Sequence, residues 1–489
     1  MKFRLTLLAV LSMFLLKPCL AEPSVSKPAN VELTIYNQNF ALVKEERDIT
    51  LEKGVNFLPV GDVAATIRPS TVAFKSKSDP NSVVVREQNY QYDLISPSTI
   101  LDKSIGKKVV LRRMLANKTE EVEGVILSSG IQQGGYSGYQ GGVVIQTKDG
   151  ILINPSGEIN VLEMPKGLIS KPTLMWKLET TKAGLQKTEI SYLADQMTWI
   201  ADYVAIVNSD DKLVDLTGWV TLTNNSGTTF ENAALNLMAG DVNVVQPEQS
   251  YARMSGGGFG GGYAGAPAPQ FAEKSFFEYH LYTLAGKTTV RDKEKKQISL
   301  MSAEKVPAKK IYLYDGRKTW WGNYRYSQGY HPGESYDVSA NKKVNVFVEL
   351  MNSKENNLGM PLPKGTMRVY KQEGDANQHF VGEDTIDHTP KDEKIRLYLG
   401  DAFDIVGTHT RTNFVRIAPT VIEESFEISL RNHKDTPVSI VVIDHHFGDW
   451  KVTTSSHEAV KKDASTLEIP VEVPKDGETK VTYTVRTTW

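Results

Sequence analysis

Apolar and polar positions alternate with a period of two through most of the chain. Val31, Leu33 and Ile35 alternate with Glu32 and Thr34. The pattern returns at Val344, Val346, Val348 and Leu350, at Ile395, Leu397 and Leu399, at Phe426, Ile428 and Leu430, and at Val481, Tyr483 and Val485. Neighbouring side chains on a strand point to opposite faces, so such a run sends one set into a core and leaves the other in water. No long window carries a 3.6-residue period. The pattern predicts an all-β protein of stacked, Ig-like β-sandwich domains.

A second pattern recurs: an alternating strand that ends in Asn, a polar turn, then another apolar run. It occurs at Val220–Asn224, Val348–Asn352 and Ile428–Asn432. Asn tolerates left-handed backbone and hydrogen-bonds locally, so these points read as hairpin corners. Their uneven spacing excludes a solenoid.

Punctuation divides the chain further. Residues 22–94 read as an N-terminal β-sandwich. Residues 95–166 hold five short strands, at Lys108–Arg112, Val122–Leu127, Val143–Thr147, Gly150–Ile153 and Ile159–Leu162, and predict a small inserted β-barrel closed off by Pro165 and Pro172. Residues 167–489 form the largest region, expected as two packed sandwiches that divide near 300–340. The run Ser255–Gln270, dominated by Gly, Ala and Pro, predicts a disordered loop.

The first 21 residues break the strand pattern. Lys2 and Arg4 lead into the apolar run Leu5–Leu16, and Cys19-Leu20-Ala21 precedes the polar Glu22-Pro23-Ser24. A basic start, a short apolar run and a small-residue stop predict a cleaved secretory signal peptide, with a mature chain of 468 residues (489 − 21) starting near Glu22. Cys19 is the chain's one cysteine, so the mature protein has none, and a cysteine nucleophile, a thiolate metal site and thiol redox work are excluded. Loss of Lys2, Arg4 and Lys17 leaves 53 basic residues (56 − 3) against 58 acidic ones, a net charge of −5. Mixed, mildly acidic charge argues against nucleic acid as a partner. No later stretch approaches the ~18 apolar residues of a membrane span. The expected location is the periplasm or the cell exterior.

From about residue 170 onward a set of motifs appears in order: Trp176, Tyr192-Leu193, Trp199-Ile200-Ala201-Asp202-Tyr203, Leu216-Thr217-Gly218-Trp219, Phe230-Glu231-Asn232-Ala233, Leu362-Pro363-Lys364-Gly365, Gly382-Glu383-Asp384, His388-Thr389-Pro390 and Gly400-Asp401-Ala402-Phe403-Asp404. Residues ~170–489 thereby resemble a bacterial exported domain family of unknown function, the one that forms the C-terminal half of mucoidy-inhibitor-A-like proteins. The resemblance implies an exported β-sandwich protein and supplies no catalytic residue. Relatives of that kind commonly carry a coiled coil before this domain, where this chain has the segment expected as a small barrel.

Candidate chemistry is sparse. Asp444-His445-His446-Phe447-Gly448-Asp449 has the side chains a metal needs, but adjacent strand residues face opposite ways, so His445 and His446 are not expected to share an ion. Replacing either histidine by Ala is expected to spare the fold. Glu383, Asp384, Asp387, His388, Asp401, Asp404 and His409 crowd into 27 residues, where acid–base work competes with carboxylates that accept backbone N–H groups at turns. Gly256–Gly261 matches dinucleotide spacing but neither follows a strand nor opens a helix. The densest aromatic run supplies the candidate binding residues Tyr312, Tyr314, Trp320, Trp321, Tyr324 and Tyr326, whose flat rings with polar edges suit sugars or partner side chains if they do not serve as core anchors.

No catalytic residue, metal or cofactor is therefore expected. The expected role is a non-enzymatic cell-envelope protein that contacts another protein or a polymer. The alternative is a glycan-binding module, with weak hydrolase activity, that uses residues 311–336.

Overall fold

The computed structural model describes residues 24–115, 118–130, 142–244, 270–316, 341–374 and 377–489. The leader, the glycine-rich insert up to residue 269 and the candidate residues Trp320, Trp321, Tyr324 and Tyr326 lie outside them. The described chain is all-β, apart from one helix, Pro97–Asp102, and two single turns of 3-10 helix. Among the described residues no helix is long and apolar enough to cross a membrane.

Alternation becomes burial directly. Along Phe40–Leu51 and Thr173–Thr180 every second side chain is buried, and Phe426, Ile428, Leu430, Val481, Tyr483 and Val485 all reach a core.

Pairing, however, cuts across the expected domains. Asn30–Tyr36 and Phe40–Leu51 lie in the middle of an eight-stranded sheet. The first runs parallel to Phe230–Ala239, and the second runs antiparallel to Gly184–Asp195 along its whole length. Gly54–Val60 and Val83–Gln91 flank Thr173–Thr180 in a three-stranded sheet, and the side chains of both sheets join one core through Leu33, Val43, Leu58, Trp176 and Tyr192. Residues 22–94 are therefore not a sandwich of their own. Alternation fixes which face of a strand is buried, and says nothing about which distant strand lies beside it.

The small domain is inserted into a hairpin. Val83–Gln91 pairs antiparallel with Thr173–Thr180, a parallel bridge between Leu94 and Ile169 holds the two connections side by side, and the intervening chain folds as a separate five-stranded antiparallel sheet. All five expected strands are present, in the order Gly150–Ile153, Val143–Thr147, Lys118–Ser129, Lys108–Leu115, Glu158–Val161. Its first and last members are not bonded to each other, so strand pairing does not close the expected barrel. The helix starts with a capping box in which Ser96 and Thr99 each accept the other's backbone N–H, and it lays Leu101 on a core of Val109, Ile126 and Ile145.

Downstream, a 13-stranded sheet wraps two cores, and three of its strands serve both. Glu294–Asp315 gives Leu300 and Val306 to the first core and Tyr314 to the second. Lys343–Met351 gives Val348 and Leu350 to the first and Val344 to the second. Lys394–Ala418 does likewise with Leu397 and Ile405. The register of Lys343–Met351 slips between Val346 and Phe347, which turns Val346 out of line with the alternation.

The three Asn corners are alike in detail. Asn224, Asn352 and Asn432 are buried, and each Nδ2 donates to carbonyls of its own turn and of a neighbouring strand end. Each Oδ1 accepts one backbone N–H, from Ser226, Gly359 and Lys434 respectively. None of the three has positive φ. Asn is used here because its amide both donates and accepts, and left-handed backbone plays no part.

Candidate functional site

The expected aromatic platform divides at its start. Tyr314 is buried in the second core and donates its hydroxyl to Asn341 O at 2.8 Å, so it offers no face to a ligand. Burial, followed by the nearby Asp315 and Asp444, pushes its phenol well above the ordinary tyrosine value. The ring lies so close to Gly407 that a Cβ there would sit 2.2 Å from it. Tyr312, two residues earlier on the same face, is half-buried against the same core, with Lys310 Nζ 5.4 Å and Lys434 Nζ 5.7 Å from its ring centre.

The densest chemistry lies in the second core. Asp444 and His445 end the strand Val438–His445. Asp444 Oδ2 accepts the Tyr483 hydroxyl at 2.5 Å and lies 3.2 Å from His446 Nε2, while His409 Nε2 is 3.3 Å from the same hydroxyl. His445 turns the other way, its Nε2 3.7 Å from Asp315 Oδ2. The two imidazoles thus address different carboxylates, as alternation along a strand requires. Among the described residues no three His, Cys, Asp or Glu side chains are grouped to hold a metal.

His446 corrects one expectation. Its ring is buried against Trp450 at 4.9 Å between centroids and near Phe426, so an Ala there leaves a cavity in the core. His409 and Tyr483 were not legible as members of this group, because they reach it from other strands.

The acidic segment does not converge. Glu383 pairs with Arg368, which also bonds Asp202. Asp384 accepts Tyr398 N–H at 2.8 Å. Asp401 accepts Asn345 Nδ2 at 2.7 Å and the Tyr398 hydroxyl at 3.0 Å, and lies 2.9 Å from Lys343 Nζ. Burial opposes ionisation of Asp401, but Lys343, Tyr398 and Asn345 outweigh it and hold the carboxyl below its ordinary value. Burial and Asp401 together push the Tyr398 phenol up to about 12. Asp387 O accepts the Thr389 hydroxyl, and Asp404 O accepts His433 N–H.

His388 stands apart at the turn beside Lys364. Its Nδ1 accepts Lys364 N–H at 3.2 Å, and its Nε2 faces the Asn37 amide at 3.4 Å. Nδ1 is then the unprotonated nitrogen of the neutral ring, and the Nε2–H proton needs an acceptor. Asn37 Oδ1, buried without a hydrogen bond, supplies one once the amide is turned over. Burial, and then the Lys364 charge, depress the His388 pKa against the opposing pull of Asp241 and Asp387.

One buried charge network had no signal in the sequence. Glu45 and Arg47 occupy inward positions of Phe40–Leu51. Arg47 Nε and Nη2 donate to Glu45 Oε2 at 2.9 and 2.6 Å, and Tyr192 donates to Glu45 Oε1 at 2.9 Å. A cavity of about 190 Å³ beside them is lined by Lys27, Arg47, Pro59 and Asp62.

No protein-family model matches the chain, and no curated protein matches it.

Proposed function

We propose that the protein is an exported, non-enzymatic component of the cell envelope that works through contacts with another protein or a polymer. The reading is carried by how the acid–base side chains are used. Glu383, Asp384, Asp401, His388 and Asp444 each bind a group on another strand or turn, and so act as fasteners between elements. The basic, apolar and small-residue succession of residues 1–21 supports export with a mature start near Glu22. The ordered motifs from Trp176 to Asp404 support kinship of residues ~170–489 with the C-terminal half of mucoidy-inhibitor-A-like proteins. Several of those motif residues have core duties, since Trp199 Nε1 donates to Met238 O and the Tyr203 hydroxyl donates to Pro363 O.

Fractionation with intact-mass measurement, followed by crosslinking in the native envelope, tests the reading. The expected result is a chain starting at Glu22 outside the cytoplasm and crosslinked to an envelope protein or polymer. A cytoplasmic chain that keeps its leader, or turnover of an envelope polymer abolished by Asp444→Asn, overturns it.

A further inference from the structure

The strand Gly150–Ile153 ends the sheet of the inserted domain and is bonded on one side only, to Val143–Thr147. A terminal strand offers unpaired backbone groups to any other strand, and charged side chains or proline are the usual guards against that. Among the described residues, every other terminal strand of four or more residues carries such a guard. Pro59, Lys75, Arg86, Glu158, Lys274, Glu383 and Lys451 hold these places. Gly150-Ile151-Leu152-Ile153 has neither a charge nor a proline.

The direction of its backbone groups follows from the register. Asn154 N–H donates to Val143 O at 2.8 Å, and the two-residue turn Lys148-Asp149 closes on the pair Thr147 and Gly150. Ladder bonds of an antiparallel pair recur at every second residue, so Gly150 and Leu152 bond inward to Val143–Thr147. The N–H and C=O of Ile151 and Ile153 therefore point to the open side. The side chains of these two residues share the face opposite Leu152, whose register partner Ile145 is in the domain's core, and they are 61% and 73% exposed. Val144, half-buried and paired with Ile153, continues the apolar surface on that face.

We infer that this edge pairs with its own counterpart in a second copy of the chain, antiparallel about a two-fold axis at Leu152. Free N–H and C=O groups at strand spacing fit another β-strand, and two features select the same strand. First, Ile151-Leu152-Ile153 reads alike in both directions. In the antiparallel pair, Ile151 of each copy faces Ile153 of the other, their outward backbone groups exchange hydrogen bonds, and the exposed isoleucines close on each other. That is the self-complementarity a two-fold interface requires. Second, the nearest charges, Lys148 and Asp149, lie in the turn before Gly150 and fall opposite Ser156 and Pro155 of the second copy, so no like charges meet. At roughly 3.3 Å per residue the strand is only about 13 Å long, so the interface stays below the ~1,000 Å² of a stable complex and the dimer is weak and concentration-dependent. The inference does not rest on the reading of an exported envelope protein.

Sedimentation equilibrium of the chain without residues 1–21, from micromolar to millimolar concentration, tests the inference. A reversible monomer–dimer equilibrium is expected. Ile151→Lys and Ile153→Glu change exposed side chains and spare the inner ladder, so each should melt like wild type and dimerise roughly tenfold more weakly. Mixed together, the two variants should associate more strongly than either alone, because the introduced lysine of one copy then faces the introduced glutamate of the other. Should either charge variant fail to fold, Ile153→Thr, still β-branched and uncharged, takes its place, with weaker dimerisation expected. A chain that stays monomeric at millimolar concentration, a dimer of unchanged strength in every variant, or a mixture no stronger than its components overturns the inference. A monomer whose crosslinks to an envelope protein vanish in Ile153→Glu also overturns it, assigns the edge to a foreign strand, and leaves the envelope reading standing.

Discussion

Tyr483 donates its hydroxyl to Asp444 at 2.5 Å inside the second core, and His409 and His446 stand on either side of that bond. The phenol comes from the last strand and the carboxylate from Val438–His445, which are not hydrogen-bonded to each other, so the contact ties two layers of the sandwich together. Tyr483→Phe keeps the ring, stacked 5.3 Å from Phe426, and removes only the donor. A buried acceptor that loses its donor costs about 1–3 kcal/mol. Urea unfolding should show a lower midpoint at an unchanged slope. An unchanged midpoint would mean that another group takes over the carboxylate.

The corners formed by Asn224 and Asn432 give a sharper chemical test. Each amide donates to carbonyls and accepts one backbone N–H, so neither Asp nor Ala reproduces it. Ala at either position should cost about 1–3 kcal/mol. Asp should cost more than Ala, because a carboxylate then faces carbonyl oxygens. Thermal melts of the four single variants check the ranking, and an Asp variant as stable as wild type would contradict the assigned amide orientation.

Glu45 and Arg47 form an ion pair that is buried on both sides. Truncating one partner leaves an uncompensated charge, at about 3–5 kcal/mol, whereas replacing both with apolar residues of similar size is often close to neutral. Arg47→Met should therefore destabilise far more than Glu45→Leu/Arg47→Met combined. Denaturant titration of the single and double variants measures the difference, and an additive double variant would sink the idea.

These networks mark where the sequence stops being legible. The strand set was readable, and all five strands of the inserted domain fall within a few residues of their expected bounds, because alternation and Gly/Pro punctuation are local. Glu45 and Arg47 were not readable, since two charges at alternate positions look like a wet face until Tyr192 arrives from a strand about 150 residues on. The pairing of Asn30–Tyr36 with Phe230–Ala239 was hidden for the same reason. For the candidate site, the opposite orientation of His445 and His446 followed from strand geometry. The burial of His446 did not, because Phe426 and Trp450 supply its walls. The contact between the Phe347 and Tyr398 rings depends on the register between two strands, which alternation alone leaves open.

Stability should fall in two stages on acidification. His388 has its pKa depressed below the ordinary 6.5, so the unfolded chain takes up that proton first, and its contribution is complete above pH 6.5 and lost as pH falls through the folded value. Burial opposes ionisation of Glu349 and Asp401, but their cationic and hydrogen-bonding partners prevail and hold both below the ordinary 4.5 and 3.8. Their contribution is present above those values and lost as pH falls through the lower folded ones. Melting temperature against pH should decline first below 6.5 and again below about 4.5. His388→Asn should flatten only the upper stage, and a variant with the same upper decline would assign it to another group.

The hairpin that carries the inserted domain predicts that the domain can be removed. Its five strands form a sheet of their own, its core of Val109, Ile126 and Ile145 is separate from the larger one, and its two connections meet at the Leu94–Ile169 bridge. Replacing residues 92–172 with an Asn-Gly turn joins the paired antiparallel ends Gln91 and Thr173 and shortens a loop, a change of only about 0.6 kcal/mol per halving of its length. Trp176 remains pinned through its Nε1 bond to Gln88, and the flanking strands keep their pairing from Gln91 to Val83. The shortened protein should melt within a few degrees of the full chain, with the inserted domain's own contribution gone from the unfolding heat. Insoluble or molten product would show that the inserted domain supports the sheet from which it springs.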